Sequence, residues 1–185
     1  PIEFSSDTGR TIDERPDVSF IIGHRGKERL PLLGATIESL RAQLGCRTEI
    51  LVVEQAVEPV LRERLPRDVR WIHQPPPAPW MPYSRSWAFN EGARQAGGRI
   101  LVFHDNDILA PAGYASELVR LGAEGFQAMR LMRFLFYLGP GDTERFLLEK
   151  NAPGRRLRDS SPEMVRQNCQ GGTIAVERAA YFHLG

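Results

Sequence analysis

The stretch Arg99-Ile100-Leu101-Val102-Phe103-His104-Asp105-Asn106-Asp107 decides how this chain is read. Four apolar residues in a row, following Gly97-Gly98, mark a short buried strand. The strand runs into two carboxylates spaced i, i+2, where strand gives way to loop. In open α/β sheets that is where ligands bind. Two hard oxygen donors separated by one small residue suit a divalent cation that keeps water and phosphate ligands of its own. Alone, the pattern equally describes a solvated acidic turn, so its meaning depends on what surrounds it.

Upstream, Val18-Ser19-Phe20-Ile21-Ile22 reads as a first buried strand. It stops at Gly23-His24-Arg25-Gly26-Lys27, a loop with two glycines and three side chains able to carry positive charge. Pro31 opens a helix, since its missing N–H falls among donors without partners there. Leu33, Ile37, Leu40 and Leu44 follow at helical spacing, and Gly45 closes the helix. Residues 49–54 form a second strand, apolar enough to be covered on both faces. A short charged helix is expected around Val57–Leu65, and a weaker third strand over Val69–Ile72. Residues 75–82 carry five prolines around Trp80, a stiff loop without helix or strand. Ser84 caps a helix running to about Gln95.

Downstream, Ala115–Leu121 is expected to be helical, Gln127–Leu138 a long strand, Gly139-Pro140-Gly141 a turn, and Thr143–Lys150 a short helix. Residues 151–163 read as a basic loop, Gly171–Val176 as a strand after a tight glycine turn, and Glu177–His183 as the start of a helix. Strand and helix alternating in this order imply an α/β fold with a mostly parallel sheet. No G-x-G-x-x-G and no G-x-x-x-x-G-K-[ST] occurs, so phosphate binding must rely on a metal or on basic side chains.

The 185 residues fit one domain, 1–185, with 1–16 as a lead-in arm. A net charge of +1 gives no overall field for nucleic acid or an anionic membrane. Cys46 and Cys169 lie far apart in no metal-ligand spacing; free thiols in a reducing compartment are the simplest account, with a single disulfide as the alternative. No apolar run approaches the roughly 20 residues that span a bilayer. The expected location is cytoplasmic, or peripheral to a membrane.

Four loops should meet at the carboxyl ends of the strands: 23–27, Glu54-Gln55, Tyr83-Ser84-Arg85 and Asp105-Asn106-Asp107. A metal-bridged diphosphate explains the set. The carboxylates hold the metal, arginines neutralise the remaining phosphate charge, Tyr83 can stack on a base, and Glu54 can accept from a base N–H or a ribose hydroxyl. His104 reads as a packed neighbour of the loop rather than a ligand. Trp80 reads as a hydrophobic plug or as part of an acceptor pocket, and His183 as structural.

The segments VSFIIGHRGK (18–27), EILVVEQ (49–55), YSRSWAFNEGARQAGGRILVFHDNDILAP (83–111) and GGTIAVERAAYFHLG (171–185) carry a resemblance that spans nearly the whole chain. The chain resembles nucleotide-sugar glycosyltransferases of the GT-A fold, near glycosyltransferase family 2. It is especially similar to β-1,4-galactosyltransferases and to the catalytic domains of chondroitin polymerases. The resemblance implies a Rossmann-like three-layer α/β/α sandwich and a metal-dependent, inverting transfer of a sugar in polysaccharide or glycoconjugate synthesis. Mn²⁺ or Mg²⁺ would sit on Asp105 and Asp107, as the Asp-x-Asp motif of the family. The donor, expected to be a UDP-sugar, would be held by His24, Arg25, Lys27, Glu54, Tyr83, Arg85 and Asp105. Family 2 commonly has an aspartate where Glu54 stands, and the galactosyltransferases have other residues. The acceptor would be a saccharide or glycoconjugate. The family's acidic general base follows the glycine-turn strand, so the domain is expected to be truncated at its C-terminal end, with the base beyond Gly185. Asp159 and Glu163, upstream of that turn, are poor substitutes. Two other readings share features with this one: a sugar-phosphate nucleotidyltransferase, of whose glycine-rich basic signature residues 23–27 are a faint version, and a non-catalytic sugar-nucleotide or glycan-binding module.

Overall fold

A computed structural model describes residues 15–132, 134–149, 162–168 and 171–184. Thirteen elements follow in order: β1 (Val18–His24), α1 (Leu30–Arg41), β2 (Thr48–Glu54), β3 (Val69–His73), α2 (Arg85–Gln95), β4 (Ile100–His104), α3 (Tyr114–Ala123), β5 (Ala128–Met129), β6 (Phe134–Tyr137), α4 (Pro140–Leu148), β7 (Met164–Gln167), β8 (Thr173–Glu177) and α5 (Arg178–His183). Six strands form a central sheet in the order β3-β2-β1-β4-β8-β5, while β6 and β7 pair separately. β1 to β4 run parallel; β8 is antiparallel to both β4 and β5. The mixed, mostly parallel α/β sheet expected from the sequence is the one present.

Side-chain alternation along the strands builds two cores. Val18, Phe20 and Ile22 of β1 point to one face, with Ile50, Val52, Ile100 and Val102. There they meet Leu33, Ile37 and Leu40 of α1 and Tyr114, Ala115 and Leu118 of α3. Ile21, Leu51, Val53, Leu101 and Phe103 point to the other face, onto Ala88 and Ala93 of α2. Helices on both faces make the three layers. β1 lies between β2 and β4, so the chain first builds outward through β2 and β3, then returns across β1 to add β4. That reversal opens a crevice at the carboxyl ends of β1 and β4.

Several local expectations are corrected. Residues 57–65 form turns rather than a helix. The backbone N–H groups of Val60 and Leu61 donate to the Glu54 carboxylate at 2.7 and 3.2 Å, and Pro59 interrupts any helical ladder. Helix α1 ends at Arg41, which leaves Leu44 outside it and 66% exposed. Gln127–Leu138 is not one strand: β5 joins the central sheet and β6 the small one. Pro140 begins α4 instead of completing a turn, as suits a proline at a helix N-terminus. β7 was not foreseen. The arm over 1–14, most of the basic loop and Cys169 lie outside the described residues. Among the described residues no helix is long and apolar enough to cross a membrane.

Helix α2 approaches β1 closely because Gly92 faces the sheet. A Cβ there would overlap Ile21 Cγ2 and stand 3.2 Å from Val53 Cγ2. Gly34 in α1 has nothing within 4 Å of such an atom. The two glycines therefore give opposite outcomes for the same substitution. Gly34→Ala should stabilise the fold by about 0.5–1 kcal/mol through helix propensity, and Gly92→Ala should destabilise it by about 1–3 kcal/mol through overpacking. Urea denaturation of the two variants measures both.

A candidate donor site at the carboxyl ends of β1 and β4

The crevice is a cleft of about 460 Å³ lined by Gly23, Arg25, Arg29, Tyr83, Arg85, Phe89, His104, Asp105, Asn106 and Asp107. Three segments far apart in sequence meet there: the loop after β1, the start of α2 and the loop after β4. Asn106 fixes two of them to each other. Its side-chain amide donates to His24 Nδ1 at 3.0 Å, and His24 Nε2 donates to the Gly26 carbonyl at 2.8 Å. These partners assign the neutral tautomer with its proton on Nε2. With Asn106 turned inward, Asp105 and Asp107 on either side of it face the cleft.

Asp105 is also tied to β8. Its backbone N–H donates to the Gly172 carbonyl at 2.8 Å, and Gly172 N–H returns a bond to Asp105 Oδ2 at 3.0 Å. Gly172 has φ +88°, and a Cβ there would lie 2.8 Å from Ile108 Cδ1 and from Met132 Cε. The left-handed backbone favours glycine here, since a side chain at this φ would be strained.

Two arginines meet the two carboxylates. Arg85 Nη1 donates to Asp105 Oδ1 at 3.0 Å and to Oδ2 at 3.4 Å. Arg29 Nη2 pairs with Asp107 Oδ2. Arg85 also lies over the Phe89 ring, 5.9 Å from its centroid, one helical turn along α2. The N-cap that places Arg85 is built as the sequence suggests, with Ser84 Oγ accepting from Trp87 N–H at 3.4 Å. Buried Gln55 anchors the cap to the end of β2, because Ser84 N–H donates to Gln55 Oε1 at 2.7 Å.

Tyr83 is 37% exposed, with its hydroxyl against Gly23. Burial, and then the nearby Asp105 charge, pushes its phenol up to about 12, so the ring stays neutral throughout the physiological range. Arg25 lines the cleft but spends its guanidinium on the proline loop, donating to Met81 O at 2.6 Å and to Pro79 O at 3.5 Å. Trp80, between those two carbonyls, is 82% exposed. It is not a hydrophobic plug.

Of the residues expected to hold a donor or its metal, the structure thus brings Arg25, Tyr83, Arg85, Asp105 and Asp107 into one cleft. Lys27 is exposed and outside the lining. His24 is fully buried with both ring nitrogens engaged, so it acts as a pin between loops. Glu54 is also fully buried; besides the two backbone N–H groups, Trp71 Nε1 donates to it at 2.9 Å. Its carboxylate holds the turn after β2. His104 is a packed neighbour: its Nδ1 bonds the Asp105 carbonyl at 2.7 Å, and burial lowers its pKa. Sequence reasoning missed Arg29, Phe89 and the roles of Gln55 and Asn106. The i, i+4 spacing of Arg85 and Phe89 was a usable signal. The Arg29–Asp107 pair, 78 residues apart, had none.

Among the described residues no group of three or more His, Cys, Asp or Glu is placed to hold a metal. Two carboxylates on one loop, with a third side chain turned away, fit a hard cation that takes its other ligands from phosphate and water.

No family model matches the chain, and no curated protein matches it. The mixed α/β fold is nevertheless shared with solved structures. One such structure is the mannosyltransferase PcManGT from Pyrobaculum calidifontis, in complex with GDP-Man and Mn²⁺. The alignment has a TM-score of 0.57 at 21% identity, and covers 94% of this chain and 48% of that one. The chain spans about half the length of that relative.

Two experiments check this geometry. A Cβ at position 23 would overlap the Tyr83 hydroxyl and stand 3.1 Å from Ala88 Cβ. Gly23→Ala should therefore cost about 1–3 kcal/mol in urea denaturation. Tyr83→Phe in that background should recover part of the loss, since it removes the overlapping oxygen; strict additivity would contradict the contact. The second concerns acid. Burial lowers the pKa of His24 below its ordinary value, so the unfolded chain binds more protons here than the folded one as pH falls below about 6.5. Stability then drops as pH falls. The melting temperature should decrease from pH 7.5 to 5.5, less steeply in His24→Gln.

Proposed function

We propose that the cleft binds the diphosphate of a nucleotide sugar and that the protein is a metal-dependent glycosyltransferase. It would move a sugar, with inversion, to a saccharide or glycoconjugate acceptor. The observation that carries this reading is the meeting of Asp105, Asp107, Arg29, Arg85 and Tyr83 at one switch point of a glycosyltransferase fold. PcManGT, which shares the fold, is seen with GDP-Man and Mn²⁺, and this supports a nucleotide sugar and a divalent metal here. A divalent ion on Asp105 and Asp107, Mn²⁺ or Mg²⁺, would supply charge stabilisation to the departing diphosphate.

The chain's own residues do the rest. Arg85 and Arg29 offer forked donors to phosphate oxygens, a geometry that favours arginine over lysine. Phe89 keeps the Arg85 guanidinium in place while it is partly exposed. Tyr83, neutral and beside the cleft floor at Gly23, presents a ring face for a base or ribose. The donor base is open between the UDP expected from the sequence and the GDP of PcManGT. Glu54, occupied by Val60, Leu61 and Trp71, braces the turn after β2 instead of reading the base. His24 likewise acts by positioning. Asp105 and Asp107 are the two carboxylates of the cleft lining, and both are paired with arginine. The group that deprotonates the acceptor is sought elsewhere.

A thermal-shift panel of UDP-, GDP- and dTDP-sugars, each with and without Mn²⁺, tests the reading. A ligand at about 100 times its Kd should add about 2.7 kcal/mol of stability. One nucleotide class should raise the melting temperature with Mn²⁺, and Asp105→Asn should abolish the metal-dependent part. No shift with any of them would contradict the proposal.

A further inference from the structure

We propose that Arg29 and Arg85 are exchangeable counter-ions, each neutralising one carboxylate of the Asp105–Asp107 pair until a diphosphate takes the guanidinium over. This inference rests on the donor-site reading above. Its consequence is that a divalent cation and a diphosphate each bind poorly alone and well together, through these arginines.

The geometry pairs the charges one to one. Asp105 has Arg85 at 3.0 and 3.4 Å, and Asp107 has Arg29. The four charges cancel. A divalent cation alone would leave the cluster two charges positive, and a diphosphate alone would leave it strongly negative. Together they come close to cancelling, which is a coupling free energy between two ligands. The pairs are also easy to open. Both arginines are about half exposed, and solvent-exposed ion pairs are weak, so a phosphate competes for the guanidinium at small cost.

Asp105 does not swing loose when Arg85 leaves. Gly172 N–H still holds Oδ2 at 3.0 Å, so the oxygen released is Oδ1, on a carboxylate that keeps its orientation. Arg25 supplies the contrast. It lines the same cleft, but its guanidinium bonds the carbonyls of Pro79 and Met81. It takes no part in the exchange.

The test uses two opposed readouts on the whole chain. Mn²⁺ binding without nucleotide is followed by electron paramagnetic resonance of the free ion. GDP and UDP binding without metal is followed by calorimetry. Arg29→Met and Arg85→Met should each tighten Mn²⁺ by about fivefold or more and weaken the nucleotide by a similar factor. Arg25→Met should leave Mn²⁺ affinity unchanged. If neither Arg29→Met nor Arg85→Met tightens Mn²⁺, or if Arg25→Met tightens it equally, the exchange is overturned, while GDP or UDP binding with Mn²⁺ would keep the donor site intact. A wild-type chain that binds neither Mn²⁺ nor either nucleotide would overturn both.

Discussion

The buried hydrogen bond between Asn106 and His24 is the constraint on which the site depends. It joins the end of β1 to the loop after β4 across the place where the order of the parallel strands reverses. A bond of this kind contributes only about 1 kcal/mol net, but leaving either partner unpaired inside the protein costs about 1–3 kcal/mol. The two loops are therefore held in one arrangement. The inward turn of Asn106 gives Asp105 and Asp107 their common outlook. The reciprocal bonds between Asp105 and Gly172 then fix that loop to β8 from the other side.

The two faces of the sheet divide the polar residues at its upper edge. His24, Glu54 and His104 continue the rows Phe20–Ile22, Ile50–Val52 and Ile100–Val102, so they point toward the α1 and α3 layer and are fully buried. His24 and Glu54 are partners in strand register, as are Ile22 and His104. Gly23, between His24 and Ile22, opens the opposite face toward Tyr83 and α2. The edge thus carries a buried polar layer that braces the loops and an exposed layer that meets solvent.

That division explains what the sequence disclosed. The contiguous apolar runs of β1, β2 and β4, the Ser84 cap and the helix start at Pro31 all depend on neighbours along the chain, and they were legible. The burial of His24 and Glu54 had a signal in the sequence: strand alternation puts both on the buried face with Ile22 and Val52. The turn over 57–65 was not legible, because Glu54 reaches forward to capture Val60 and Leu61 and removes them from a helical ladder. The split of Gln127–Leu138 into β5 and β6 was equally hidden, since the choice of sheet depends on β8 and β7, which lie far along the chain. Arg29 became visible only when folding brought it to Asp107.

A divalent cation and a nucleoside diphosphate are proposed to meet between the loops after β1 and β4. Paramagnetic broadening of backbone amide signals by Mn²⁺ in the presence of GDP or UDP locates the ion directly. Broadening should centre on Asp105, Asn106, Asp107 and Gly172 and extend to Arg29 and Arg85. Broadening centred on another part of the molecule, such as α4 with its exposed Leu148, or spread evenly over surface acidic residues, would contradict it.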